Sequence, residues 1–201
     1  MIKEHIIKKQ KSIQHKIVNT ASQVFSRFGF KKATMEDIAS AVGMGKSSIY
    51  YYFKSKEEIF EAVVKKEAYE LSLELEKKVI QVKDNPKDKI RNYVLIRMKY
   101  LKEMVNYYEA LKSDYLGNLA FTERIRKKYD KEEQQIIRSI LEEGVAQGIF
   151  GITNTKFAAI ALVTFLKGLE TTMLIDQELS LNDLEKNLDE ILQIIFYGMV
   201  K

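Results

Sequence analysis

Thr34-Met-Glu-Asp-Ile-Ala-Ser-Ala-Val-Gly-Met-Gly-Lys-Ser-Ser-Ile-Tyr-Tyr-Tyr-Phe-Lys-Ser-Lys-Glu-Glu-Ile-Phe60 encodes two short helices and the glycine turn between them. Thr34, with Asp37 three residues later, forms a capping box that satisfies an orphan N–H of the first turn. Ile38, Ala39 and Val42 make an apolar face, and Gly43 supplies a residue that takes positive φ without steric cost. Met44 and Ile49 resume the apolar face, while Ala39 is small where two steeply crossing helices need close backbone approach. This is the pattern of a helix-turn-helix, whose second helix is built to enter the major groove of DNA.

The surrounding composition fits a polyanion-binding head on a larger body. Residues 1–56 hold 11 Lys and Arg against 3 Asp and Glu, net +8; the rest hold 22 against 25, net −3, of a total of +5. Coinciding with the helix-turn-helix, that asymmetry points to nucleic acid. With 201 residues and 46% hydrophobic content the chain can bury a sizeable core. Without cysteine it has no disulfide, thiolate metal site or thiol nucleophile. His5 and His15 lack the spacing of a metal pair, so no metal and no cofactor is expected. No apolar run reaches the roughly 18 residues a membrane span requires, and Met1–Ser12 lacks the apolar region of a signal peptide. A cytoplasmic protein without a membrane partner is expected.

Nearly all the chain reads as helix, and no period-2 strand is found. The expected helices are 11–28, 35–42, 46–52, 55–80, 86–105, 107–116, 122–147, 155–175 and one from 180 onward, preceded by a basic arm at Lys3–Lys11. Ile13, Ile17, Ala21, Val24, Phe25 and Phe28 form the core face of the first, with Gly29 as its stop. Ser55 with Glu58, and Ser180 with Asp183, repeat the capping box. Asn85 caps a helix that has Pro86 at its first position. The expected fold is all-α: a nine-helix bundle with a helix-turn-helix head (residues 1–54, motif 35–52) and a helical ligand-binding and dimerisation domain (55–201).

Residues Ile17 to Phe60 resemble the TetR-type one-component transcriptional regulators. The resemblance runs through Ala21, Phe25, Gly29, Thr34, Ile38, Ala39, Gly43, Lys46, Ser48, Ile49, Tyr50, Tyr52, Phe53, Lys56 and Glu58, and its most specific part is Lys-x-x-Ile-Tyr-x-Tyr-Phe-x-x-Lys-Glu. The resemblance implies double-stranded operator DNA as partner, with roles position by position. Thr34 would bond a phosphate through its hydroxyl and N–H. Gly45, Lys46, Ser47 and Ser48 would form the first turn of the recognition helix. Tyr50 and Tyr51 would lean on the sugar-phosphate backbone or thymine methyls, and Tyr52 and Lys56 would each meet a further phosphate. Ser47, Ser48 and Tyr51 are the expected base readers. Lys46 and Lys56 are expected in solvent, and Ile49 and Phe53 in the core. Gly45 departs from the family, which commonly has a serine cap there.

In the body, the helix at 155–175 is apolar nearly all round and the last helix is wider than one stripe, so each needs cover on several sides. A homodimer built on two copies of each would supply it, through Leu162, Leu188, Ile191, Leu192, Ile195, Phe196 and Met199; the other reading is a monomer core. Met98, Leu101, Met104, Tyr107, Tyr108, Leu111, Tyr115, Phe121, Phe165, Leu169, Thr172 and Met173 are residues of the kind that line adaptable apolar pockets. The resemblance implies that they hold a small-molecule effector. Arg97 and Lys167 either pair an acidic head group of that ligand or bridge a nearby glutamate at the surface. The competing readings are a DNA-binding architectural protein without a ligand and an all-α enzyme. No acid pair beside a His or Cys, no phosphate loop and no metal spacing supports the enzyme.

Overall fold

The computed structural model of the chain describes residues 2–104, 106, 119–173 and 180–197. Those residues form eight α-helices and no strand: α1 (Ile2–Lys32), α2 (Met35–Val42), α3 (Lys46–Tyr52), α4 (Lys56–Leu75), α5 (Pro86–Glu103), α6 (Leu119–Ala146), α7 (Thr155–Thr171) and α8 (Leu181–Tyr197). The helix expected at 107–116 lies outside the described residues. α4 runs on into a π-helical turn, Glu76–Ile80, where a continuous α-helix to 80 was expected.

The first helix departs most from its expected bounds. It begins at Ile2 instead of at Lys11, so the basic arm is itself helical; no glycine or proline interrupts the chain before Gly29. Gly29, at φ 75° and ψ 156°, breaks the helical path as expected, yet helical turns resume as far as Lys32. Phe28, expected on the core face, is exposed beside Arg27. The caps form as read. Thr34 and Asp37 make the reciprocal box, Ser180 and Asp183 another, and the Asn85 side chain accepts from the N–H groups of Lys87 (2.9 Å) and Asp88 (3.1 Å). At Ser55 the hydroxyl accepts from Glu58 N, while the Glu58 carboxylate turns to Lys54 N.

The chain divides into two compact units, Met1–Tyr69 with Val105–Gly117, and Glu70–Met104 with Asn118–Lys201. The core of the first gathers Ile17, Ala21, Val24 and Phe25 of α1, Ile38, Ala39 and Val42 of α2, Ile49 of α3, and Ile59, Phe60 and Val63 of α4. Phe25, Phe30 and Phe60 form an aromatic cluster with centroids 4.7–5.8 Å apart. Asn106 is buried there too. Its amide donates to Glu67 Oε1 (2.6 Å), Ser26 Oγ (3.2 Å) and Ser22 Oγ (3.1 Å).

In the second unit Ile90, Tyr93, Val94 and Met98 of α5 meet Ile137, Ile140 and Leu141 of α6, Ala159, Val163 and Leu166 of α7, and Leu184, Leu188 and Leu192 of α8. Gly144 of α6 lies so close under Phe150 that a Cβ there would run into the ring. No helix of the described residues is long and apolar enough to cross a membrane.

Candidate nucleic-acid interface

The turn between α2 and α3 is fixed by main-chain bonds. Gly43 adopts φ 77°, ψ 35°, so its N–H meets Ser40 O (3.0 Å) while Met44 N–H reaches Ala39 O (2.8 Å). Ala39 of α2 is buried, 2% exposed. α3 then starts at Gly45, whose φ of −71° and ψ of 151° suit an N-cap but which offers no side-chain cap bond. Lacking that bond, the first turn of α3 relies on Ser48 N and Ile49 N, both donating to Gly45 O.

The seven residues of α3 divide cleanly by face. Ile49 is 0% exposed and the following Phe53 is buried. Lys46, Ser47 and Ser48 are exposed, Tyr50 is 42% and Tyr51 70% exposed, and Tyr52 is half-buried with its ring edge-on to Tyr51 (5.0 Å). Ser47 and Tyr51, four residues apart, lie on one line of the helix opposite Ile49. Hydroxyls can bond base edges and aromatic rings can pack on thymine methyls, so this exposed face carries groups able to contact DNA.

Three polar side chains prove engaged within the chain. The Lys46 ammonium pairs with Glu36, and the pair holds the Glu36 carboxyl below the ordinary carboxylate range and Lys46 above the usual lysine value. The Thr34 hydroxyl donates to Asp37 Oδ2 (2.6 Å) and accepts from Asp37 N (3.1 Å), while Thr34 N–H also goes to Asp37 Oδ2 (2.9 Å). These bonds hold the Asp37 carboxyl low. They also occupy both groups that were expected to hold a phosphate.

Lys56, expected in solvent, turns inward. Its Nζ donates to the main-chain carbonyls of Phe30 (2.8 Å), Ala33 (2.8 Å) and Lys31 (3.3 Å) and sits 4.5 Å from the Phe30 ring centroid. The carbonyls at the end of α1 are the negative pole of that helix, and an ammonium there needs no phosphate to be satisfied. Lys16 Nζ does the same for Val42 O at the end of α2 (3.1 Å). Neither Lys16 nor Gln10, which reaches Tyr51, was singled out from the sequence; both act more than 20 residues along the chain, where no local pattern signals contact.

In the body, Arg97 is 3% exposed and bridges Glu133 (2.6 Å) and Glu170 (3.0 Å), and Tyr93 donates to Glu133 (3.0 Å). Burial pushes the Tyr93 phenol well up, keeping its proton in place. Lys167 pairs with Asp130 (2.5 Å). Both cations thus pair with acidic side chains, but not as the second sequence reading had it: Arg97 bridges two glutamates while buried and not at the surface, and the partner shown for Lys167 is an aspartate.

Of the expected pocket residues, Met98, Met104 and Met173 are buried and Phe165, Leu169 and Thr172 half-buried; Tyr107, Tyr108, Leu111 and Tyr115, and the side chains of Leu101 and Phe121, lie outside the described residues. A cavity of about 520 Å³ opens among Leu141, Ile149, Phe150, Leu162, Phe165, Ile195 and Phe196, with Lys87 and Tyr197 beside it. Of the expected dimer residues, Leu188 and Leu192 point into the chain's own core, Leu162, Ile191, Ile195 and Phe196 are half-buried, and Met199 lies outside the described residues. Next to them Phe157 (67%), Ile160, Ile194 (53%) and Tyr197 are exposed.

Residues 17–63 match the family described as bacterial regulatory proteins, tetR family. The chain is 26% identical over 144 residues to the HTH-type transcriptional repressor KstR2 of Mycolicibacterium smegmatis, covering 69% of this chain and 68% of that protein. Its fold is similar to a TetR/AcrR-family transcriptional regulator from Thermobifida fusca (TM-score 0.71, 24% identity, 94% of this chain and 98% of that one). It is equally similar to the transcriptional regulator FadR of Bacillus subtilis, solved in complex with stearoyl-CoA (TM-score 0.71, 21% identity, 92% and 99%).

Proposed function

We propose that this chain, which belongs to the TetR family of non-enzymatic DNA-binding transcriptional regulators, is a cytoplasmic repressor. It binds a palindromic operator as a homodimer and is released by a small apolar or amphipathic effector. The observation that carries the reading is α3 itself: Ile49 anchors it in the core while Ser47, Ser48, Tyr50 and Tyr51 project into solvent beside Lys46. Residues 1–54 serve as the DNA-binding head and 55–201 as the effector and dimerisation domain.

Ser47, Ser48 and Tyr51 read base edges; Lys46, Tyr50 and Tyr52 position the helix on the phosphates, together with the first-turn N–H groups of α2 that have no carbonyl four residues back. Thr34 shapes that helix start through its box with Asp37. Lys56 acts indirectly, by holding the end of α1 against the start of α4. Lys46→Ala is expected to weaken DNA binding and lower the slope of log affinity against log salt by about 0.9, one phosphate's worth. An unchanged slope places the phosphate contact elsewhere.

The dimer is supported by the exposed Phe157 and Ile160 of α7 and Ile194 of α8, with the half-buried Ile191 and Ile195 beside Ile194 on α8. Ile191→Glu would bury an unpaired charge in that seam. Light scattering should then report a monomer; a wild-type protein that is monomeric at micromolar concentration contradicts the dimer. The cavity of about 520 Å³ is within the range of small-ligand sites, and Ile195 both lines it and belongs to the apolar residues offered for the dimer, so a second subunit docked there would reach its edge. The stearoyl-CoA in FadR supports an acyl-bearing effector for this body. Leu141, Ile149, Phe150, Leu162, Phe165 and Phe196 are its candidate apolar contacts; of the residues expected from the sequence and described, Phe165 lines this cavity, and Met98, Met104, Leu169, Thr172 and Met173 do not. Release requires that the effector bind the DNA-competent and released states with different affinity.

A further inference from the structure

The buried stripe of α1 runs through Ile17, Ala21 and Val24, with Ile13 half-buried at its near end. Gln10 is the next member of that stripe, one turn before Ile13. An apolar side chain would continue the pattern. A half-buried glutamine stands there instead, and its Nε2 donates to the Tyr51 hydroxyl at 2.8 Å, across 41 positions of sequence. Tyr51 is otherwise the most exposed aromatic of α3, held on one side by the edge of Tyr52.

We propose that Gln10 is a positioning residue for DNA readout, orienting the Tyr51 phenol and the direction of its proton; the proposal rests on the reading of α3 as the recognition helix. Two consequences follow from the geometry. An exposed tyrosine with one edge contact must lose rotamer freedom on binding, and a bond made beforehand lowers that loss. Because the glutamine amide donates, the phenol oxygen is the acceptor and its own proton stays available. It can then be given to a base acceptor such as thymine O4 or guanine O6 or N7. Donation into the phenol oxygen also polarises the O–H toward that acceptor. The N-terminal turns of α1 thereby take part in sequence choice without touching a base through Gln10.

The test uses the full chain and the fluorescein-labelled duplex that the wild-type protein enriches most from a random pool. Gln10→Met keeps length and helix propensity and removes the donor; Tyr51→Phe removes the hydroxyl; Lys46→Ala reports whether α3 meets DNA at all. Gln10→Met should weaken binding roughly fivefold, the factor of one net hydrogen bond. The double variant should bind no more weakly than Tyr51→Phe alone. Repeated selection should show Gln10→Met and Tyr51→Phe losing preference at the same base step, a result that a general loosening of α1 would not give. Wild-type affinity for Gln10→Met, losses that multiply in the double variant, or relaxed preference at unrelated steps each overturn the proposal. If Lys46→Ala is weakened and Gln10→Met is not, this inference alone falls; if Lys46→Ala, Tyr51→Phe and Gln10→Met all bind as wild type, the reading of α3 falls with it.

Discussion

The head and the body use charge in opposite ways. In the head, two cations go to main-chain carbonyls: the half-buried Lys56 to three at the end of α1 and the exposed Lys16 to one at the end of α2. The packing around them is apolar, from Ile17 and Phe25 to Ile49 and Phe60. In the body, two buried cations meet carboxylates. Arg97 lies between Glu133 and Glu170, and Lys89, also buried, reaches Glu143 at 2.7 Å. A helix-end ammonium satisfies carbonyls that the helix leaves without a partner and ties that end to another helix, α1 to α4 through Lys56 and α2 to α1 through Lys16. A buried ion network fixes which helices stay together, and its integrity depends on every member.

The body is where the contrast breaks most violently. Arg97→Leu takes the cation from the buried Glu170 and the half-buried Glu133, and unfolding by urea should show a loss of about 3–5 kcal/mol. Replacing Arg97, Glu133 and Glu170 together by apolar side chains of similar volume should restore most of that loss, because the desolvation cost disappears with the charges. If the single variant is as stable as wild type, the network is not what joins α5, α6 and α7.

The head should respond less. Lys56→Ala removes charged bonds to three carbonyls, which places the loss of stability at about 1.5–3 kcal/mol. The contrast is sharpened by salt. Lys56→Ala should leave the salt slope of DNA binding unaltered where Lys46→Ala lowers it, since the Lys56 ammonium faces carbonyls and not solvent. A lowered slope for Lys56→Ala would return it to the phosphates.

How far the sequence reached follows the same division. The capping box at Thr34, the positive φ of Gly43, the missing cap at Gly45, the buried Ile49 and the outward Tyr50 and Tyr51 all rest on neighbours within a few residues, and all were legible. Lys56 was not. Its position four residues past Tyr52 gives no sign that carbonyls 23–26 residues earlier lie within reach. Nor was the start of α1 legible, because lysine-rich turns without a core face carry no periodic signal; Gln10 became meaningful once Tyr51 was found beside it. In the body the apolar width of α7 and α8 was readable, yet Leu188 and Leu192 could not be assigned to the chain's own core from spacing alone. Arg97 was open between a ligand and a glutamate until Glu133 and Glu170, 36 and 73 residues away, were placed against it.

The smallest expected effect lies at the start of α3. A Cβ on Gly45 meets nothing closer than Ser48 Oγ at 4.0 Å, and its backbone angles suit any residue. Gly45→Ser should therefore add the missing cap and stabilise the protein by about 0.3 kcal/mol, with DNA affinity equal to or slightly above wild type. Thermal melting of the two proteins side by side decides it, and a lower melting temperature would mean that the first turn of α3 needs the glycine for another reason.

Selection of binding sites from a random duplex pool, run in parallel on wild type, Ser48→Arg and Thr34→Ala, bears most directly on α3 as the element that chooses sequence. Wild type should enrich an inverted repeat, as a two-fold dimer requires. Ser48→Arg should enrich a repeat with an altered half-site, and Thr34→Ala the wild-type repeat at lower affinity. No enriched repeat with wild type, or the same half-site from Ser48→Arg, would contradict it.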